Sequence, residues 1–220
     1  MLSITEENYL KAIFKIAERD QSPVNTNAVA ASMQTTAASV TDMIKRLSEK
    51  ELLDYEKYKG VLLTEEGRKI ATNLIRRHRL WEVFLTEKLG FSWDEVHEIA
   101  EELEHINSDK LIDRMDTFLG YPRFDPHGDP IPDADGHWTR RPQVLLGTLL
   151  PGQLGVVTGV DDHTSAFLQY LNQLGLGLGE NIEVVNRVLY DNSMIIKLKD
   201  GKSIAVSDKV VQHLFVKISA

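Results

Sequence analysis

Apolar residues recur at helical spacing through most of the first half of the chain and at strand spacing through its last third. Tyr9, Leu10, Ile13, Phe14 and Ala17 mark one face of a helix expected from about residue 5 to 18, and Ser3 with Glu6 forms a capping box at its start. Pro23 closes the connection. Asn25 or Thr26 can cap a short second helix through Met33, and Gln34-Thr35-Thr36 separates it from a third stripe of Val40, Met43, Ile44 and Leu47. Two short strand-like runs follow between Leu52 and Thr64, turning at Lys59-Gly60. Helix, short turn, helix and hairpin in that order predict a winged helix. Thr64, with Glu65 and Glu66 in the next turn, caps a long helix to about Leu89, and a further helix starts near Ser92 after the Gly90 break. Leu111, Ile112, Met115, Phe118 and Leu119 form an apolar face on the helix after Ser108, suited to a two-fold partner.

Residues 120–142 are rich in Pro, Gly and Asp without sustained periodicity, which predicts a linker or ordered loop. His127 and His137 sit there beside aspartates and are read as surface loop residues. Beyond Pro142, alternating runs at 154–160, 181–188, 193–198, 203–206 and 214–218 predict a small barrel. Gly175, Gly177 and Gly179 lead into a strand and lack the GxGxxG spacing, so they mark a turn rather than a nucleotide loop. The fold class is therefore mostly α with a small all-β module. Its expected domains are a winged helix at 1–73, a helical domain with its loop at 74–142 and a β-module at 143–220.

Composition narrows the function. The 42% hydrophobic content is that of an ordinary globular protein, and no apolar run reaches the roughly 18 residues of a membrane span. No signal-peptide pattern opens the chain, so a cytoplasmic protein with no membrane partner is expected. The absence of cysteine excludes disulfides and thiolate metal sites, leaving nitrogen and oxygen as the only metal donors. A net charge of −8 argues against nucleic acid, but it is unevenly spread. Residues 1–79 hold 13 basic against 11 acidic side chains, and residues 80–220 hold 12 against 22.

The third helix leaves Thr36, Ala38, Ser39, Thr41, Asp42 and Lys45 outward. Small polar side chains of this kind can approach base edges in a major groove; by themselves they are equally well solvated helix positions. The hairpin behind them favours DNA, because Lys57 and Lys59 on such a wing suit phosphate contacts. Asp42 either accepts from a cytosine amino group or faces water.

The helical middle carries the candidate chemistry. His78 and Glu82 are four residues apart on one helix face. In the next helix, with His97 set to zero and about 100° per residue, Glu101 falls near 40°, Glu104 near −20° and His105 near 80°. A lone histidine among these would more often be structural, and Glu98 and Glu102 are read as solvated. Six ligand-type side chains interleaved with Leu80, Val83, Phe84, Val96, Ile99, Ala100 and Leu103 point instead to metal.

HRLWE at 78–82 and VHEIAEELEH at 96–105 resemble the diphtheria-toxin-repressor family of metal-dependent regulators, most closely its manganese-transport-regulator branch. EKYKGVLLTEEGRKIA at 56–71 is similar to that branch's wing, and the likeness extends to GDPIP at 128–132 and a C-terminal SH3-like module of the ferrous-transport-accessory type. The resemblance implies a homodimeric repressor that reads a palindromic operator in double-stranded DNA and controls metal-homeostasis genes. It implies two ions per subunit, Mn2+ or alternatively Fe2+. An ancillary site would use His78, Glu82 and His97, joined by Asp162 or His163, and a primary site Asn8, Glu101, Glu104 and His105. Glutamate at 101, where the iron branch has cysteine, favours manganese; Asn8 departs from the family's usual Asp or Met and brings no charge. No catalytic residues are expected. Two other classes compete: a dinuclear metallohydrolase built on the same ligands, and a winged-helix regulator of an organic effector.

Overall fold

A computed structural model describes residues 2–20, 23–56 and 60–219. The chain divides into two compact units, one of Met1–His78, Leu103–Lys110 and Pro132–His137, the other of Arg79–Glu102, Leu111–Ile131 and Trp138–Ala220. Among the described residues, no helix is long and apolar enough to cross a membrane.

The first unit is the winged helix. Helix α1 spans Ile4–Asp20, and its capping box is reciprocal: Ser3 N–H donates to Glu6 Oε2 at 2.9 Å and Glu6 N–H to Ser3 Oγ at 3.3 Å. Asn25 caps α2 (Thr26–Ser32) by accepting from Asn27 N–H, and Thr36 caps α3 (Ala37–Glu49) by accepting from Ser39 N–H. The wing pairs β1 (Leu53–Glu56) with β2 (Gly60–Leu63), and Val24 adds a bridge to Val61. Leu10, Ile13, Val29, Val40, Ile44, Leu47 and Val61 are all completely buried here. Each large aliphatic side chain so buried contributes about 1.5–3 kcal/mol. Lys57 and Lys59 lie outside the described residues.

Helix α4 spans Glu65–Leu89, starting where Thr64 Oγ1 accepts from Gly67 N–H. In the second unit its later turns bury Leu80 and Val83 with Ile112 and Met115 of α6 (Asp109–Phe118) and with Ile131. The apolar face expected to meet a partner subunit therefore divides: Ile112 and Met115 are core of this unit, while Leu111 and Phe118 are exposed. Helix α5 is shorter than its periodicity predicts, Val96–Leu103. Residues 92–95 form a turn held by Ser92 and Glu95, and at the other end Ile106 N–H closes a turn on Leu103 O. Glu104 and His105 thus stand in a turn, not on the helical stripe that the spacing predicts.

The β-module of the second unit contains β3 (Val144–Leu145), β4 (Leu154–Val160), β5 (Asn181–Arg187), β6 (Met194–Leu198), β7 (Ser203–Val206) and β8 (Leu214–Ile218) in one sheet of order β3-β8-β4-β5-β6-β7. All pairings are antiparallel. Helix α7 (Ser165–Leu174) packs Phe167, Leu168 and Leu171 into its core, and α8 (Asp208–His213) adds Val210 and Val211. Gly175 ends α7 at φ 74°, the left-handed residue that turns the chain toward β5.

Candidate metal centres and recognition helix

The second unit draws Glu82, Asp125 and His127 together, with one ligand atom of each inside a 4.8 Å span. Glu82 comes from α4; the other two come from the loop after α6. That loop is ordered by its own backbone: Asp125 N–H donates to Asp129 O, Gly128 N–H to Asp125 O, and Ile131 N–H to Arg123 O. Asp125 Oδ1 accepts from the backbone N–H of His127 and of Asp129, both at 2.9 Å. His127 is 0% exposed, which corrects its reading as a surface loop residue; the second loop histidine, His137, is exposed as expected. Sequence could not reveal the difference, because burial of a loop side chain depends on what the loop folds against.

His127 Nε2–H donates to Trp93 O at 2.7 Å, leaving Nδ1 fully buried without a hydrogen bond and 3.5 Å from Glu82 Oε1. One ring nitrogen anchored to a backbone carbonyl and the other aimed at carboxylates is how metal-ligating histidines are oriented. Electrostatics agree. Burial pushes the Asp125 carboxyl up, as do Glu82 and Asp129, against Arg79 and His127. Burial alone would lower His127, but Glu82 and Asp125 raise it to about 9. The pocket calls for positive charge, which a divalent cation can supply in place of the Nδ1 proton.

Among the expected ancillary residues, His97 Nδ1 stands 3.2 Å from Glu82 Oε1. His78 lies one turn before Glu82 on α4. His163 stacks on His127 with ring centroids 4.6 Å apart, and burial pushes its imidazole down. Asp162 Oδ1 accepts from Thr164 N–H and Thr164 Oγ1 at the start of α7. Neither Asp162 nor His163 belongs to a three-residue ligand group among the described residues.

The first unit assembles a different set. His105 Nδ1–H donates to Glu7 Oε2 at 2.6 Å, and His105 Nε2 lies 3.8 Å from Glu104 Oε1. The other Glu104 oxygen accepts from His78 Nδ1–H and from Lys11 Nζ, each at 2.6 Å. Burial alone would raise the Glu104 carboxyl, but the His78 hydrogen bond and the Lys11 charge hold it below the usual range. Asn8 is half-buried on α1, the helix that carries Glu7 and Lys11. Glu101 falls in the second unit, exposed, 3.7 Å from His97 Nε2. Glu7, Lys11 and Asp125 escaped the sequence reading; the capping-box spacing drew notice to Glu6 instead.

On α3, Thr36, Ala38, Ser39, Asp42 and Lys45 are exposed. Thr41 is half-buried and donates its hydroxyl to Ala37 O, and Lys45 pairs with Asp42 at 3.5 Å.

Three family models match successive stretches of the chain. They describe the N-terminal DNA binding domain of iron dependent repressors at residues 1–61, the metal binding and dimerisation domain of iron dependent repressors at 64–133, and a FeoA domain at 144–218. The iron-dependent repressor IdeR of Mycobacterium tuberculosis is 32% identical over 200 residues, covering 90% of this chain and 79% of that one. The HTH-type transcriptional regulator MntR of Oceanobacillus iheyensis is 35% identical over 115 residues, 52% of this chain and 77% of that one. A solved manganese-dependent transcriptional repressor in complex with manganese matches at TM-score 0.87 and 35% identity, over 97% of this chain and 100% of that chain. ScaR with bound Cd2+ matches at TM-score 0.78 and 33% identity, over 96% and 98%.

Proposed function

This chain belongs to the iron-dependent-repressor family, that of the diphtheria toxin repressor, and from that premise we propose how it uses metal to control DNA binding. It is a Mn2+- or Fe2+-dependent transcriptional repressor of metal-homeostasis genes, acting as a homodimer on double-stranded operator DNA. Two ions per subunit are assigned. Glu82, Asp125 and His127 would hold one, with His97 beside Glu82; Glu104 and His105 would hold the other, with Asn8 on the adjoining helix. The observation that carries this reading is the buried His127 ring, anchored through Nε2 to Trp93 O with Nδ1 turned toward the clustered Glu82 and Asp125 carboxylates. A bound divalent ion supplies positive charge to clustered carboxylates. Donors of oxygen and imidazole nitrogen, with no cysteine in the chain, suit Mn2+ best.

The residues of the first unit provide the link to DNA. Glu7 orients His105 by accepting from its Nδ1, leaving Nε2 and Glu104 Oε1 to face an ion. Glu7 and Asn8 stand on α1, which packs against α2 and α3 of the winged helix. Fixing the turn at 104–105 to α1 therefore fixes the base of the recognition helix. Two such helices in a dimer must sit about 34 Å apart to read a palindrome, so one favoured geometry is enough to switch binding. The exposed face of α3, from its Thr36 cap to Lys45, makes the base and phosphate contacts, and Lys57 and Lys59 add phosphate contacts as the sequence suggests. Glu82 is 1%, Asp125 5% and His127 0% exposed, so an ion here would be held by buried donors, as suits a regulatory centre.

The test is binding of the purified protein to operator-containing fragments at fixed salt, anaerobically, with and without Mn2+ or Fe2+, for the native chain and for Glu82→Gln and His105→Gln. Metal should switch on tight, fragment-selective binding, and both substitutions should blunt the response. Metal uptake with no change in DNA affinity would overturn this function.

A further inference from the structure

Lys11 is a buried cation in an unusual place. Its Nζ lies 2.6 Å from Glu104 Oε2 and 3.4 Å from His78 Nδ1, and the three side chains are 7%, 1% and 5% exposed. Lysine is almost never buried to this extent unless an anion requires it. Here the anion is Glu104, the carboxylate assigned above to an ion. Without metal and without Lys11, this nearly inaccessible carboxylate would keep only the His78 hydrogen bond on Oε2, and removing one partner from such a pair is strongly destabilising. The ammonium therefore neutralises in the metal-free protein what a divalent ion neutralises in the loaded one. The two cations repel each other across one carboxylate. A lysine, unlike an arginine, is a compact point charge on a flexible stem of four carbons, able to withdraw as an ion arrives.

We propose that Lys11 is a tethered competitor for the Glu104 site, a specificity-determining residue that sets the metal concentration at which this repressor responds. This rests on the reading of Glu104 as a metal ligand. Linkage gives it two coupled consequences: what Lys11 adds to the stability of the metal-free state, it subtracts from metal affinity. Removing the charge should therefore loosen the empty protein and tighten the ion, whereas a residue that merely organises the site would lose both together.

The experiment measures Mn2+ stoichiometry and affinity by titration calorimetry, and metal-free thermal midpoints, for the native full-length chain, Lys11→Met, Lys11→Gln, Lys11→Arg and Glu104→Gln. Lys11→Met and Lys11→Gln should each lower the metal-free midpoint yet bind one of the two ions about tenfold more tightly, a coupling of ordinary size. Lys11→Arg, which keeps the charge, should stay nearer the native affinity. If Lys11→Met fails to fold, Lys11→Gln, which retains a hydrogen-bond donor, carries the comparison. Affinity unchanged or weakened in the folded neutral variants overturns the competitor role while leaving the metal site standing, provided Glu104→Gln loses one ion. If Glu104→Gln keeps both ions at native affinity, the Glu104 site itself fails and the proposal falls with it.

Discussion

Arg79 Nη2 donates to Asp129 Oδ2 at 2.6 Å, so a helix residue three positions before Glu82 grips the loop that delivers Asp125 and His127. The same guanidinium donates to Pro130 O and brings Nε to 3.4 Å from Asp125 Oδ2. One planar cation thus fixes both ends of the turn, a task for which its fork geometry is suited. Asp125 is almost fully buried, and Arg79→Met would leave its charge without that partner. Removing one member of such a buried pair costs about 3–5 kcal/mol. We expect Arg79→Met to lower metal-free stability in urea by an amount near the lower end, since Asp129 stays partly solvated.

Metal should act as a stabilising ligand of the same loop. A ligand at about 100 times its Kd adds roughly 2.7 kcal/mol per independent site. The thermal midpoint of the native chain should therefore rise with Mn2+ and fall back on chelation. In His127→Gln, which removes the buried imidazole, the part of the rise due to this centre should vanish, and calorimetry should count one ion fewer. A full rise with both ions retained would show that His127 is no ligand.

Much of this architecture is written in local signals. The Ser3/Glu6 box, the Thr36 cap and the Gly175 turn are contacts between near neighbours, so spacing alone places them. The strands of the β-module fall within a residue or so of their alternating runs, although the two-residue β3 is too short to leave a pattern. Helical periodicity failed at Glu104, where the chain leaves α5 early and the side chain turns to Lys11 and His78, partners 93 and 26 positions away. The Asp125/His127 pair was invisible for a related reason. Its partner Glu82 is over forty positions earlier, and a Pro- and Gly-rich loop has no periodicity from which to infer an inside.

Gly128 tests whether that loop tolerates any slack. It adopts φ 89°, and a Cβ there would collide with Thr158 O and the Arg141 guanidinium. Arg141 holds Gly128 O at 2.6 Å and also donates to Thr158 O, joining the loop to β4. Gly128→Ala must strain the backbone and separate those segments, which places it among the more severe substitutions, at about 3 kcal/mol or more. Loss of stability should be accompanied by weaker Mn2+ binding, because His127 is the preceding residue. Gly152, also at positive φ but with no atom within 4 Å of a built Cβ, is the control: Gly152→Ala should bear only the cost of its backbone and leave metal binding intact.

On the recognition helix, Asp42 and Lys45 lie one turn apart, both well exposed, with their charges 3.5 Å from each other. A carboxylate so placed weakens the attraction of Lys45 for phosphate. If Lys45 contacts the backbone and Asp42 faces water, Lys45→Ala should weaken metal-activated binding to all fragments alike and reduce the salt slope by about one unit. Asp42→Ala should do the opposite, tightening specific and non-specific binding together while leaving the preferred sequence unchanged. The discriminating measurement is affinity against salt for the operator and for single-base variants. A loss of selectivity at one C·G pair in Asp42→Ala would instead make that carboxylate an acceptor for a cytosine amino group, and place it among the residues that read sequence.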